Sequence, residues 1–205
     1  MALSTYSALQ TSALNWLARD ASDSPALAAA MPDCIALVEA KINRHLRTGD
    51  METATTLTGT NGVFTLPVDF GGARLVTSDT YGPLEQAGDE WAASAYPMDA
   101  STVPAYYAIQ GNTLKTYPAF SGILTLRYFK AVPGLSDVAP SNWLLTAHPD
   151  VYLFLTISEA YGFVQNIEAA QVYNQRGMTA AEEIKSQDLA RRFINPSIRV
   201  KGPTP

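Results

Sequence analysis

Glycine and proline are distributed unevenly along this chain of 205 residues, and the distribution limits where long helices can form. Residues 5–48 contain two prolines and no glycine, and residues 150–192 contain two glycines and no proline. Most of the other glycines and prolines fall between them. Because both residue types interrupt helices and favour turns, the pattern predicts helical segments on either side of a middle rich in strands and loops.

Apolar residues in the two flanking segments recur at helical spacing. A first helix is predicted from Tyr6, and a second is predicted to begin with Pro32 at its first position, where the missing N–H costs no hydrogen bond. Residues 151–164 are almost all apolar, which predicts a helix buried on more than one side, in part by a neighbouring subunit. Residues 167–192 predict a longer, more polar helix. Its thin apolar stripe consists of Val172, Tyr173, Ala180 and Ile184.

The middle of the chain has the alternation and turn residues of short strands. Gly111 and Asn112 form a turn pair that suits a hairpin. A short helix containing Trp91 is predicted within residues 83–96. The predicted strands are 53–58, 63–66, 73–77, 106–110, 113–117 and 123–130.

These elements predict an α+β protein with an insertion. Residues 1–49 and 142–192 are expected to form a helical bundle, built from an N-terminal αα-hairpin and two C-terminal helices. Residues 50–141 are expected to form an inserted, small antiparallel β-sheet or barrel domain. Residues 193–205 are expected to form an extended C-terminal arm.

The surface carries unusually little charge. Only 16% of the residues are charged, whereas roughly 25% is ordinary. Such a surface loses its water at low cost, which favours a subunit of a larger assembly. A groove for nucleic acid is not expected, because the net charge is −5 and Lys and Arg form no run.

The charge that is present is segregated. Residues 50–100 contain eight acidic side chains and one basic one. From Arg191 onward there are four basic side chains and no acidic one, namely Arg191, Arg192, Arg199 and Lys201. Ile198 and Val200 alternate with the last two bases, which favours addition of the arm to a partner as an extended strand.

Common catalytic and cofactor motifs are absent. The sequence has no nucleophile elbow, phosphate-binding loop, dinucleotide fingerprint or paired-cysteine metal pattern. Cys34 is the one cysteine, and His45 and His148 lie at predicted helix ends, where capping and dipole roles suit them. We therefore expect no enzyme activity, no cofactor and no metal. The longest apolar run, 151–155, is far shorter than the about 20 residues that span a membrane, and no signal peptide is expected, so synthesis in the cytoplasm follows.

The segments Leu66–Phe70 (LPVDF) and Asn142–Leu145 (NWLL) are the most distinctive of the chain. Together with further segments, in order along most of the chain, they resemble the adaptor proteins in the head–tail connectors of short-tailed bacteriophages; the acidic middle is matched more loosely. The other similar segments are Thr5–Gln10, Asn15–Leu17, Pro32–Arg44 and His148–Leu153.

This resemblance implies a structural protein of the virion neck. Such adaptors form a ring, commonly twelve-fold, that binds the portal protein and a tail or nozzle protein, and DNA passes through without specific binding. An extended C-terminal segment reaches the portal, a role that fits Arg191, Arg192, Ile198, Arg199, Val200 and Lys201 by position and character. Candidate residues for a subunit or tail interface are Trp143, Tyr152, Phe154 and Tyr161.

Two other functions remain open from the sequence. One is a more distal ring subunit of the tail or nozzle. The other, from a different class, is a small-ligand or glycan-binding β domain. Its stacking surface would consist of Trp91, Tyr106, Tyr107 and Tyr117, which could equally pack inside the sheet.

Overall fold

A computed structural model describes residues 3–18, 24–96 and 103–192. Over these residues the chain is α+β, with six α-helices and a nearly closed sheet of seven strands. It divides into two compact units. The helical unit consists of the described residues within 1–48 and 132–192, and the β unit consists of the described residues within 49–131.

The elements follow one another as helices, then strands, then helices. The helices are α1 (Tyr6–Trp16), α2 (Pro25–His45), α3 (Asp89–Ala95), α4 (Trp143–Ala147), α5 (Pro149–Phe163) and α6 (Ile167–Arg192). The strands are β1 (Glu52–Gly59), β2 (Val63–Thr65), β3 (Phe70–Ser78), β4 (Gly82–Gln86), β5 (Tyr106–Gln110), β6 (Thr113–Tyr117) and β7 (Gly122–Lys130).

The start of α2 differs from the prediction. Helix α2 begins at Pro25, and Pro32 lies inside it, where a proline costs about 3 kcal/mol. The intervening residues are Ala, Leu and Met, which are strong helix formers, and both Leu27 and Met31 are buried. Burying two such side chains contributes about 1.5–3 kcal/mol each, which offsets the interior proline.

Helix α5 is the centre of the helical unit. Helices α1, α2, α4 and α6 all pack against it. The apolar sequence of α5 favours partial cover by a neighbouring subunit, but the chain itself covers most of the helix. The side chains of α5 that stay partly or fully exposed include Asp150, Phe154 and Tyr161.

Helix α6 contacts α5 through small residues. The buried residues of α6 are Gly177, Ala180, Ala181 and Ile184. A Cβ atom at Gly177 would lie 2.6 Å from Leu155 Cγ, so this glycine allows the two helices to approach closely. The prediction that Val172 belongs to the apolar stripe of α6 is therefore wrong, because Val172 is 52% exposed and is not one of the buried residues of α6.

Polar side chains attach the segment after β7 to the helical unit. Asn43 Oδ1 accepts a hydrogen bond from the Val132 amide at 2.7 Å, and Glu39 Oε1 accepts one from the Leu135 amide at 2.6 Å. Residues 132–141 are predicted from the sequence to belong to the inserted domain. These two bonds explain why they lie with the helices instead.

Asn142 completes this attachment. Its Oδ1 accepts from the Leu145 amide at 2.8 Å and caps α4. Its Nδ2 donates to the Pro133 carbonyl at 2.7 Å and to the Tyr152 hydroxyl at 2.8 Å. One side chain thus ties the segment before α4 to the first turn of α5.

The seven strands of the β unit run in the order β1-β7-β3-β4-β5-β6-β2. A bridge between Thr60 and Val63 joins the two outer strands, so the sheet nearly closes on itself. Its interior is apolar and consists of Leu57, Phe64, Leu66, Val76, Leu84, Tyr107, Leu114, Leu124, Leu126 and Tyr128.

Two local predictions in the β unit are confirmed. Strand β7 alternates as expected, with Leu124, Leu126 and Tyr128 buried on one face. The β5–β6 hairpin turns at Gly111, whose φ of +57° lies in the left-handed region that glycine adopts without strain.

The expectation of a purely antiparallel sheet is wrong at one pair. Strands β4 and β5 are parallel, with Glu85 opposite Tyr106. A parallel pair needs a long crossover, and the chain between these strands includes α3. Residues 83–86, predicted as part of a short helix, form β4 instead because they pair with β3 and β5.

We predict opposite effects of alanine at two helical glycines. Gly177→Ala forces a methyl group against Leu155 and should lower the free energy of unfolding by about 1–3 kcal/mol, despite the better helix propensity of alanine. Gly162→Ala is the matched control, because a Cβ atom there meets nothing within 4 Å. It should leave stability unchanged or raise it by up to about 1 kcal/mol in urea unfolding. Equal effects would contradict close α5–α6 packing.

We also predict that the charge of Glu39 opposes folding while its hydrogen bond supports it. Burial raises the pKa of Glu39 above 4.5, so its contribution to stability is largest at low pH and is lost as the pH rises through the raised value. Glu39→Gln keeps the acceptor for Leu135 and should be as stable as the wild type or more so at pH 7. Glu39→Ala should lose about 1–3 kcal/mol, because the Leu135 amide loses its partner. Urea unfolding across pH 4–8 measures both.

Candidate interaction surfaces

Four aromatic side chains meet on the helical unit. Trp16, at the end of α1, lies edge-on to Phe154 of α5 and Tyr173 of α6, with ring centroids 5.9 and 6.3 Å away. Tyr161 stacks on Tyr173 at 5.5 Å. Trp16 is 48% exposed, so this group is a surface feature rather than core. We call these four residues the aromatic cluster.

A groove lies beside the aromatic cluster, between α5 and α6. Its volume is about 440 Å³, and Phe154 belongs both to its wall and to the cluster. Arg176 lies over the Tyr173 ring at 5.4 Å. The residues that line this α5–α6 groove are Asp150, Phe154, Val172, Gln175, Arg176, Thr179, Ala180 and Glu183. The groove is therefore partly apolar, with charged groups at its margins.

The four predicted interface residues occupy different environments. Phe154 and Tyr161 belong to the aromatic cluster. Tyr152 is fully buried in the helical unit, and burial raises the pKa of its hydroxyl. Trp143 is partly buried. Within the part of the chain that the structure describes, its indole Nε1–H donates to no acceptor.

Sequence reasoning missed the role of Trp16 and Tyr173. Both stand at helical spacing with core residues, which places them in apolar stripes. A large aromatic residue at the last position of a short helix, as Trp16 is in α1, was the available signal. These rings meet only because three helices pack together, and the sequence of no single helix predicts that packing.

The basic C-terminal residues fall partly within the described structure. Arg191 is exposed on the last turn of α6. Arg192 Nε forms an ion pair with Asp188 Oδ2 at 2.8 Å. The other predicted portal-binding residues lie outside the described residues; they are Ile198, Arg199, Val200 and Lys201.

The β unit carries a second exposed aromatic group. Trp91 is 54% exposed and lies edge-on to Tyr106 at 5.2 Å, and Tyr96 lies 6.1 Å from the same ring. Of the four residues predicted to stack on a ligand, Tyr107 is buried in the sheet interior. Tyr117 is held by its hydroxyl, which donates to Asp89 Oδ1 at 2.6 Å.

Acidic side chains of the β unit face the solvent. Asp50, Asp79, Glu85 and Glu90 are exposed. Asp69 is also exposed and accepts a hydrogen bond from the Tyr128 hydroxyl at 2.9 Å. The acidic character of this unit is therefore a property of its surface.

In residues 3–18, 24–96 and 103–192, no group of three or more His, Cys, Asp and Glu side chains is placed to hold a metal ion. No helix in those ranges is long and apolar enough to cross a membrane.

Comparison with known proteins gives one match that covers nearly the whole chain. The sequence model of a family described as SU10 adaptor protein matches residues 4–200. The match includes the described parts of both the helical unit and the β unit. No curated protein matches the chain.

We predict that the Tyr117–Asp89 contact holds the α3 region at neutral pH and weakens at alkaline pH. Burial, together with the hydrogen bond to and the charge of Asp89, raises the pKa of Tyr117 from 10.0 to about 12. Its contribution to stability is therefore complete below pH 10 and is lost as the pH rises towards 12. Asp89→Asn should lower this pKa towards 10, and Tyr117→Phe should remove the titration, both measured by ultraviolet absorbance. An unchanged titration curve in Tyr117→Phe would contradict the assignment.

Proposed function

This chain belongs to the SU10 adaptor protein family and is a structural adaptor of a bacteriophage virion, and from that premise we propose that it forms a ring between the portal and the tail. The ring is twelve-fold in this proposal and continues the DNA channel from the capsid. The family match over residues 4–200 is the observation that carries this proposal. The surfaces of the two units support it.

The helical unit supplies the contacts between neighbouring subunits in this proposal. The aromatic cluster leaves Trp16 about half exposed, and Phe154 and Tyr161 are only partly buried. Exposed aromatic groups of this kind are typical of protein interfaces, where they bury a large area at low entropic cost. The low overall charge also reduces the cost of removing water from such a surface.

The β unit supplies an acidic surface that does not hold DNA. Residues 49–131 contain eight acidic and four basic side chains, a net charge of −4. A surface of this sign repels DNA phosphates, so DNA can pass it without binding. The same surface suits contact with basic groups of a tail or nozzle protein.

The C-terminal arm supplies the contact with the portal. Arg191 and Arg192 begin a basic segment that continues with Arg199 and Lys201, and no acidic side chain interrupts it. Ile198 and Val200 give the segment the alternation of an added strand. Such an arm would bind an exposed sheet edge or an acidic groove of the portal.

We predict that removal of residues 195–205 separates folding from portal binding. The truncated chain should keep the circular dichroism and unfolding temperature of the full chain, because in this proposal the arm serves the portal contact and not the fold. Its binding to purified portal rings of the same phage should weaken at least about tenfold, because the apolar and charged contacts of the arm are lost together. Surface plasmon resonance on immobilised portal rings measures this.

A shorter deletion is the matched control. Removal of residues 202–205 leaves Ile198 to Lys201 in place and should keep portal binding. If the longer truncation binds portal rings as tightly as the full chain, the arm does not dock there. If the full chain binds purified tail rings and not portal rings, a distal tail or nozzle subunit replaces the proposed role.

A further inference from the structure

The α5–α6 groove is exposed in the single chain and has a distinct order of charges. Arg176 lies towards the start of α6 and Glu183 lies further along the helix, about 10 Å away at 1.5 Å per residue. Asp150, on α5, adds a second carboxylate to the lining. Phe154 and Ala180 supply apolar area between these groups, and Thr179, one turn beyond Arg176, is exposed.

Helix α2 presents a different exposed surface on the same unit. Leu37 is 58% exposed there, although it is a large apolar side chain. Asp33 and Arg44 are exposed on either side of it along the helix, about 16 Å apart. The uncharged residues exposed with Leu37 are Ala29, Pro32, Ala36 and Ala40. We call this surface the outer face of α2.

The two surfaces are complementary in charge. Along α2 an acid precedes a base, and along α6 a base precedes an acid. When the helices run in the same direction, Asp33 meets Arg176, and Arg44 meets Glu183 and Asp150. The difference of about 6 Å between the two spacings is within the reach of an arginine side chain. Within the described residues, Asp33, Arg44, Arg176 and Glu183 form no ion pair.

We propose that the outer face of α2 of one copy of this chain docks into the α5–α6 groove of the next copy. Leu37 then packs against Phe154 and Thr179, and Asp33 pairs with Arg176. The inference rests on the proposed ring, because a ring needs two different patches on each subunit that bind each other. The side chains around Leu37 are small, so α2 can approach Phe154 in the groove closely.

Charge reversal tests the pairing. Asp33→Arg and Arg176→Glu each place like charges at every interface and should weaken self-association about tenfold, measured by sedimentation velocity up to millimolar protein. Asp137→Arg reverses an exposed charge elsewhere on the helical unit and should have no effect. Circular dichroism and thermal unfolding check that all variants fold.

Mixing the two charge-reversal variants distinguishes this interface from any other. In an alternating assembly, the arginine introduced at position 33 of one variant faces the glutamate introduced at position 176 of the other. At the next interface the unaltered Asp33 faces the unaltered Arg176. An equimolar mixture should therefore recover association to within about threefold of the wild type, and so should the double variant. Failure of both to recover would overturn the proposal.

Disulfide capture gives a readout that does not need a stable ring. Copies with Leu37→Cys mixed with copies carrying Thr179→Cys should form a mixed disulfide about tenfold faster than the control mixture of Val138→Cys and Thr179→Cys. Val138 is 96% exposed, and the natural Cys34 is buried. Equal rates in the two mixtures would overturn the proposal.

These results separate the inference from the proposed function. If the chain binds portal rings but the cysteines introduced at positions 37 and 179 cross-link no faster than the control, the ring uses another interface. If they cross-link selectively but portal rings are not bound, the subunit contact stands and the portal role fails.

Discussion

The helical unit depends on the burial of α5, a helix without a polar face. Such a helix is stable in water only when other elements surround it, and α1, α2, α4 and α6 do so here. One of its buried polar groups is bonded inside the unit, since the Ser158 hydroxyl donates to the Ala170 carbonyl at 2.8 Å. The positions of the other helices follow from this requirement, because each must bring its own apolar side to α5.

What remains uncovered after that packing is the surface that the proposed ring uses for its contacts. Phe154 and Tyr161 lie at the surface of the helical unit, and Trp16 and Tyr173 contact them there. The β unit carries an excess of acidic side chains, and the C-terminus carries basic residues that no acidic one interrupts. In the proposed ring each subunit binds its neighbours without holding DNA, and this separation of apolar, acidic and basic surface is suited to both demands.

Much of the local structure could be predicted because it depends on neighbouring residues. Thr5 caps α1 as its side chain and position suggest, accepting from the Ala8 amide at 3.2 Å. Helix α6 and the β5–β6 hairpin have the predicted bounds. The start of α2 and the parallel pairing of β4 with β5 could not be predicted. Each depends on long-range contacts, which outweighed the local preference of Pro32 and of residues 83–86.

By itself, the sequence determined the alternation of helical and strand-forming segments, the buried character of α5 and the segregation of charge. These follow from residue type and spacing. Only the tertiary structure decided which aromatic residues are interior and which are surface. Tyr152 and Phe154 are two positions apart on one helix, yet Tyr152 is bonded to Asn142 in the core and Phe154 lines a groove. That difference depends on which helices cover each side of α5, and no spacing within α5 specifies it.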